Sequence, residues 1–489
     1  MTSNPRKHIA VIGGGITGLS AAYELMAGTS AADCPVRVTV IERSGRLGGA
    51  VQTVARDGFI IEQGPDSFLS RKPAAVKLIR ALRLENDLVG MNPAAGKSFI
   101  YLNGRLQAVP KGLMLGIPTR LKPFLSTGLI SFKGKARASL DLVLPGTKHG
   151  GDVSLGSLIE GRLGKEVADS LVAPILAGIY AGDLHRLSTA ATFPQLLDMT
   201  ARHRSLIMGI VKSRGKGAPS APASGTELLP QHLRGSMFLS LKRGLRSIVD
   251  RLSEELIRMG ADMKTGTALE SIGRIGNGYK LRLADQSVIA CDGIVFAGPA
   301  EEAAGLLQPF GLGSIAGLRQ VPDVSVANVV MAFEGRSFPK PLEGSGFVVP
   351  RKEKMSITAC TWASSKWNHT APEGKVLIRA YVGHAADESH RNVDDEELSL
   401  MVMKDLSRVT GTLDAPLFKL VTRHPLAMPQ YLPGHLERIQ AVERELEDRC
   451  PGLVLAGRSY RGVGIPDCID QGVKAAGKVL GQLGLHPPT

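Results

Sequence analysis

Two glycine-rich stretches have the spacing that could do chemistry. In AVIGGGITGLSAAYEL, Gly13-x-Gly15-x-x-Gly18 comes after a β-branched run and opens an apolar helix. Such glycines permit a tight turn, close approach of backbone to a pyrophosphate, and close packing of helix on strand. Glu42 ends the next β-branched run, VRVTVIE, where a carboxylate accepts hydrogen bonds from ribose hydroxyls. Nearly the whole chain later, RGVGIPDCIDQG (Arg461–Gly472) repeats the strand–loop–helix arrangement after LVLAG. A helix N-terminus of that kind favours negative charge. The bland alternatives are a glycine turn that merely packs, and an ordinary Pro-Asp helix start.

The residues just beyond Glu42 separate flavin from nicotinamide. ERSGRLGG supplies Arg46, Gly48 and Gly49 beside the same phosphates, and IEQGPDSFLS (Ile61–Ser70) adds a further tight turn. One glycine loop suffices for a nicotinamide dinucleotide, whereas FAD is held along an extended length. In an extended site the N-terminal unit grips adenosine and pyrophosphate, and a separate helix is needed at the isoalloxazine. The helix expected near Cys468 can direct its first N–H groups at the flavin N1/C2=O edge and stabilise the anionic reduced ring. That accounts for two loops in one chain. Arg46, like most arginines on a surface loop, is otherwise simply solvated.

These loops need elements to position them. Across 489 residues two or three domains are expected. HIAVI, VRVTVIE and GIVFAG read as buried parallel strands, and residues from about Lys72 to Lys212 read as mostly helical around a loop at Val109–Phe124. KSRGKGAPSAPASG is a low-complexity linker. Beyond it come a helix over Leu241–Gly260, a strand meander from Ala268 to Ala290 and a strand-rich region from about Ser325 to Val382. The nucleotide signals fall at both ends, so the first domain is discontinuous. Its segments are placed at 1–85, 227–300 and 421–489, with a mainly helical substrate or lid domain at 86–212, the linker at 213–226, and a substrate domain at 301–420.

Composition excludes several classes. With 43% hydrophobic and 21% charged residues the chain reads as soluble and globular. No apolar run reaches the roughly 18 residues of a membrane span. Absence of a signal peptide before the first strand points to the cytoplasm. The five cysteines form no CxxC pair, and no HExxH or Cys/His cluster occurs, so neither a disulfide framework nor a metal is expected. No GxSxG elbow is present. The net charge of +14 suits an anionic substrate or peripheral contact with an anionic membrane, whereas 4% aromatics and no recognisable motif argue against nucleic acid.

At IGGGITGLSAA, GFIIEQGPDSFL, GIYAGD, MPQY and GVGIPDCIDQG the chain resembles the oxygen-dependent porphyrinogen oxidases of the monoamine-oxidase-like flavoproteins. It looks most like the Gram-positive type that converts coproporphyrinogen III to coproporphyrin III. The similarity runs nearly end to end, and GIYAGD and GVGIPDCIDQG are its most specific motifs. The resemblance implies an α/β fold: a Rossmann-like FAD-binding domain, a mixed-sheet substrate domain and a helical domain over the porphyrinogen. It implies haem biosynthesis by three two-electron steps, each passing hydride to the flavin, with O2 as acceptor and H2O2 as product. The cofactor carries the chemistry, so no catalytic side chain is expected. Transient contact with the next haem-pathway enzyme is a further implication. Carried over by position, FAD contacts fall on Gly13, Gly14, Gly15, Ile16, Thr17, Gly18, Glu42, Arg43, Gly64, Pro65, Asp66, Ser67, Ala268, Ile465, Pro466 and Asp467, and Arg46 and Gly49 join them from the loop itself. His424 stands where these proteins usually carry Trp, and reads better as a structural histidine than as a polar stand-in.

Candidate substrate contacts are Arg71, Lys72 and Lys97, with Lys72 fitting what the family implies for propionates. For each, a solvated surface cation is the alternative. In GIYAGD, at the end of a helix expected from Ser154, Ile179 and Tyr180 form the wall of a flat pocket. Tight helix packing is the alternative. Other enzyme readings on the same fold are a protoporphyrinogen IX oxidase, an amine oxidase and a carotenoid desaturase. A flavoprotein scaffold without catalysis is the reading from another class. The seven tyrosines and two tryptophans leave little for the aromatic cage of an amine oxidase.

Overall fold

The computed structural model describes residues 6–30, 36–110, 112–114, 117–118, 121–146, 151–215, 225–411 and 413–485. Five short strands form one parallel sheet: four are buried runs rich in Val, Ile and Leu, as such runs must be when helices cover both sides, and the fifth, the edge strand DMKT, is only partly buried. Their spatial order is Asp262–Thr265, Arg37–Glu42, His8–Ile12, Gly293–Phe296 and Leu453–Leu455. Numbered along the chain this is 3-2-1-4-5, a doubly wound arrangement whose ligand crevice lies at the C-terminal ends of the central strands. The first helix (Ile16–Ser30) and the last (Ile465–Gln482) pack side by side on one face. Gly472 makes that approach possible, because a Cβ there would lie 2.3 Å from the Thr17 carbonyl oxygen. The meander (Leu269–Ile275, Gly278–Leu283, Val288–Cys291) is inserted between the third and fourth strands.

The second sheet has seven strands in the order Phe418–Pro429, Asp323–Glu334, Lys375–Val382, Ile357–Trp362, Gly346–Val348, Phe99–Leu102 and Arg105–Ala108. It is mixed: Gly346–Val348 runs parallel to Phe99–Leu102, and the other pairings are antiparallel. Residues 99–108 therefore belong to this sheet, although they fall in the stretch read as helical. Among the described residues from Leu121 to Gly215 the regular elements are helices. Their core is held by a buried ion pair between Asp141 and Arg162, Nε to Oδ1 at 2.6 Å. The helix expected to run from Ser154 to GIYAGD is broken at Gly164, whose φ of +88° ends Leu155–Leu163, and a π-helical turn at Ala168–Val172 precedes Ala173–Tyr180. The helix at Leu206–Gly215 extends past the expected start of the linker, and residues 216–224 of that linker lie outside the described residues. So does Cys34; the other four cysteines are buried and free. Among the described residues no helix is long and apolar enough to cross a membrane.

Candidate functional site: a cofactor cradle

The three motif glycines do three different jobs. Gly13 has φ +103° and its Cβ would meet the Ala297 carbonyl at 3.1 Å, so it makes the turn off the first strand. Gly18 lies against that turn, where a Cβ would sit 1.9 Å from the Gly13 oxygen. Gly15 faces open space, with nothing within 4 Å of a built Cβ. It is the position where a bound pyrophosphate can approach the backbone. Gly14 donates its N–H to Glu42 Oε2 at 2.7 Å, while Glu42 Oε1 accepts from the N–H and hydroxyl of Ser44. A carboxylate has about four acceptor sites, so Glu42 keeps capacity for a ribose. Ile16, Thr17 and Ile465 are buried, with Ile16 and Ile465 in the apolar core, which leaves backbone as their means of contact.

The second glycine loop closes over the first. Gly48 donates to the Gly14 carbonyl at 2.8 Å, and Gly49, at φ +56°, lies 3.4 Å from the Gly15 Cα when given a Cβ. Arg46 is exposed and its side chain has no partner among the described residues, as suits a phosphate contact. Arg43 is instead turned to Glu302 at 3.3 Å. The N–H groups of Gly64, Asp66, Ser67 and Ala268 likewise have no protein partner among the described residues, although Gly64 packs so closely that a Cβ would meet the Ala50 oxygen at 1.8 Å. Open backbone at Gly15, a free cation and unpaired amides are what a dinucleotide needs. The residues present fit a flavin.

Sequence reasoning missed what holds the Gly64–Ser67 turn. Asp66 does not point freely into the cradle: it accepts from Lys366 Nζ at 3.0 Å and from Ser67 Oγ at 2.6 Å, and Arg379 lies 3.8 Å away. Burial opposes its charge, yet the Lys366 and Arg379 cations hold its carboxyl well below the usual range. Burial pushes the neighbouring Glu62 up to about 7, against hydrogen bonds from the Leu245 N–H and the Thr53 hydroxyl. His424 donates Nε2–H to the Gln63 carbonyl at 2.8 Å; burial lowers its pKa, and the charges of Arg379, Arg458 and Arg46 add to that.

At the far end, the helix begins at Ile465, capped by Gly464, rather than near Cys468. Pro466 has no N–H, so only Ile465 and Asp467 offer first-turn amides there. Gln471 ties the helix to its approach loop, accepting from Gly457 N–H at 3.1 Å and donating to the Arg461 carbonyl at 3.0 Å. Lys72 is not a free cation. Its Nζ lies 2.5 and 2.6 Å from the two oxygens of Asp467. Tyr180 is close to the same carboxylate; burial pushes its phenol up to about 12, with Asp467 adding to the effect. Tyr180 is buried against Phe193 and Tyr431, whereas Ile179 is 41% exposed. GIYAGD is thus a junction: the Tyr180 carbonyl accepts from Gln430 at 2.9 Å, and that of Gly182 from Arg351 at 3.1 Å. Arg71 is exposed. Lys97 is exposed too, at the edge of the seven-stranded sheet, where its carbonyl accepts from the Ser345 N–H at 2.8 Å.

A surface trio, Glu160, Asp169 and His185, brings possible metal-ligand atoms within 4.8 Å of one another, but Lys165 already pairs with both carboxylates.

A 3-2-1-4-5 parallel sheet, a cradle closed by two glycine loops and a return helix from the chain's far end define a flavoprotein fold joined to a second, mixed sheet. The chain belongs to the flavin-containing amine oxidoreductase family, whose match spans residues 16–480. It is 42% identical over 478 residues to a Bacillus subtilis (strain 168) protein named coproporphyrinogen III oxidase, covering 98% of this chain and 99% of that one. A Staphylococcus aureus protein of the same name is 37% identical over 98% of this chain and 100% of its own. The crystal structure of a proposed protoporphyrinogen oxidase from Exiguobacterium sp. 255-15 superposes with a TM-score of 0.84 at 34% identity, covering 99% of this chain and 100% of that chain.

Proposed function

We propose that this chain is an FAD-dependent oxidase that converts coproporphyrinogen III to coproporphyrin III with O2. The observation that carries this reading is the end-to-end similarity to proteins named for that reaction, joined to a cradle whose open Gly15, free Arg46 and unpaired amides suit an extended dinucleotide. Bound FAD supplies the two-electron acceptor and its reoxidation by O2. Three turnovers remove six hydrogens and convert three O2 to three H2O2, so atoms and electrons balance. The chain's own part is to hold and orient. Gly13–Gly18, Gly49 and Arg46 bind the pyrophosphate, Glu42 the ribose, Ala268 the adenine, and the Gly64–Ser67 turn and the Ile465–Asp467 helix start the isoalloxazine end. The Lys72–Asp467 pair and Tyr180 stand beside that helix start, where a macrocycle would lie. The +14 charge and the absence of a spanning helix among the described residues support a cytoplasmic enzyme with salt-removable membrane contact.

The second reading is protoporphyrinogen IX, which has two propionates against four. Pairing of Lys72 with Asp467 favours it, because a neutralised cation discriminates less between the two substrates. Anaerobic flavin reduction by each porphyrinogen, and then kcat/KM in air, separates the readings. Coproporphyrinogen III is expected to be the better substrate, by a margin that shrinks in Lys72→Ala. Each charge-assisted contact contributes on the order of 1.5–3 kcal/mol. Equal or faster turnover of protoporphyrinogen IX by the unmodified enzyme overturns the substrate assignment and leaves the flavin oxidase intact.

A further inference from the structure

One face of the seven-stranded sheet changes character along its strands. Its three edge-side strands place Phe418, Ala332 and Leu377 in one row, then Leu420, Val330 and Arg379, then Thr422, Asn328 and Tyr381. The first row and Val330 pack on Phe59 and Ile61 of the hairpin that leads into the Gly64–Ser67 turn. Beyond them the face turns polar although it stays buried: Asn328 is 4% exposed and Arg379 5%. Polar groups at such depth destabilise a sheet unless they are fully bonded.

They are bonded, and to consecutive carbonyls of one turn. Arg379 donates to the Glu62 carbonyl at 3.1 Å and to the Gly64 carbonyl at 2.7 Å. Asn328 donates to the Gln63 carbonyl between them at 2.6 Å, and His424 donates to the same oxygen at 2.8 Å. Gln63 returns an amide contact to the Thr422 hydroxyl at 3.3 Å. Since the carbonyl only accepts, His424 Nε2 must carry the proton. The sheet thus takes the carbonyl side of the turn and leaves the amides of Gly64, Asp66 and Ser67 unclaimed.

We propose that Arg379, Asn328 and His424 are positioning residues: from the second domain they hold the Gln63–Ser67 turn in the shape that receives the flavin. This rests on the reading that the turn meets FAD. The sheet that carries the substrate domain and the cofactor turn then move as one body, so the flavin's place relative to the substrate is set by three side chains that need touch neither.

The test titrates FAD into deflavinated protein, tracking flavin fluorescence and the shape of the flavin absorption bands. Arg379→Lys keeps the charge beside Asp66 but has one nitrogen in place of a planar group whose Nε and Nη2, bonded to the Tyr381 hydroxyl, aim Nη1 at the two carbonyls, and is expected to raise the FAD Kd about tenfold or more. His424→Leu is expected to raise it several-fold and to shift the bands. His424→Gln, whose amide nitrogen can replace Nε2, is expected to restore both, a rescue that a purely space-filling role would not produce. Unmodified Kd and bands in Arg379→Lys and His424→Leu overturn the proposal alone. If Arg379→Lys does not fold, the His424 variants decide, and equal behaviour of Leu and Gln overturns it. An unmodified chain with no affinity for FAD overturns the cofactor reading and this proposal with it.

Discussion

Gly15 and Gly18 sit three residues apart in one motif, and alanine at each should fail for opposite reasons. At Gly18 a Cβ would stand 1.9 Å from the Gly13 oxygen and 3.2 Å from a Val11 methyl. Real contacts to a Cβ stay beyond 3.0 Å, so helix and turn must part by about an ångström. Overpacking of that kind costs about 1–3 kcal/mol, more than the roughly 1 kcal/mol that alanine gains in helix propensity. At Gly15 nothing lies within 4 Å and φ is not positive. Gly15→Ala should leave the protein without cofactor as stable as before, or more stable by about 0.4–1 kcal/mol. With cofactor the same methyl occupies the pyrophosphate's approach. Loss of one charge-assisted hydrogen bond alone weakens binding about tenfold or more. Thermal melts with and without FAD, together with the flavin-to-protein absorbance ratio, read both effects. The expected pattern is normal stability and lost flavin for Gly15→Ala, against lowered stability in both states for Gly18→Ala. Full flavin content in Gly15→Ala, or a melting loss equal to that of Gly18→Ala, refutes the division of labour.

Two further outcomes concern stability. His435 is wholly buried, stacked on Tyr431 at 4.3 Å, and bonded through Nε2 to the Tyr460 carbonyl at 2.8 Å. Burial outweighs that hydrogen bond and lowers its pKa from 6.5 to about 4. As pH falls from 6.5 to 4 the unfolded chain gains a proton that the folded one refuses, so stability drops across that window by on the order of 3 kcal/mol and is flat in this respect above it. Denaturation curves for His435→Gln should show a shallower acid slope than the unmodified protein, and identical slopes would count against the assignment. Asp141 accepts from Arg162 at 2.6 Å, Ser205 at 2.5 Å and the Ile207 N–H at 2.9 Å, with both charges buried. Asp141→Asn leaves the guanidinium uncompensated and should cost about 3–5 kcal/mol. A loss below about 1 kcal/mol in urea melts would refute that weight.

The parallel strands and the glycine cradle are legible because both leave local marks: β-branched runs bounded by glycine, and a glycine spacing that suits a tight turn from strand into helix. Gly164 leaves a mark too, since a glycine just past a periodic run is a common helix stop. Apolar residues resume at Val167 and hide it, so the run reads as one helix. Phe99–Leu102 leaves a faint one: the apolar run after Lys97 reads as strand-like, but it is four residues long and its partner strand holds Phe347, far along the chain, so the surrounding stretch reads as helical. Lys72 looks unclaimed for the same reason, its partner Asp467 lying on the last helix. Arg379 and Asn328 carry no motif. Their meaning comes from carbonyls of a turn that reaches them only after folding.

The order of strands has a consequence for how the protein is made. Ile9 pairs with Gly293, and Ile294 in turn with Leu453, so the His8–Ile12 strand waits for one of its neighbours until a long intervening stretch has been made. Pairing between such distant residues is slow to nucleate, and unpaired edges stay open to wrong partners meanwhile. The return helix at Ile465–Gln482 closes against the first helix only after the long stretch between them has been made. A chain without that helix would carry every residue of the N-terminal motif and still lack the helix that packs beside it. Cofactor loading therefore reports that this helix has arrived: a bound flavin stabilises only a chain that carries it, and a copy without it is left for chaperones and proteases to find.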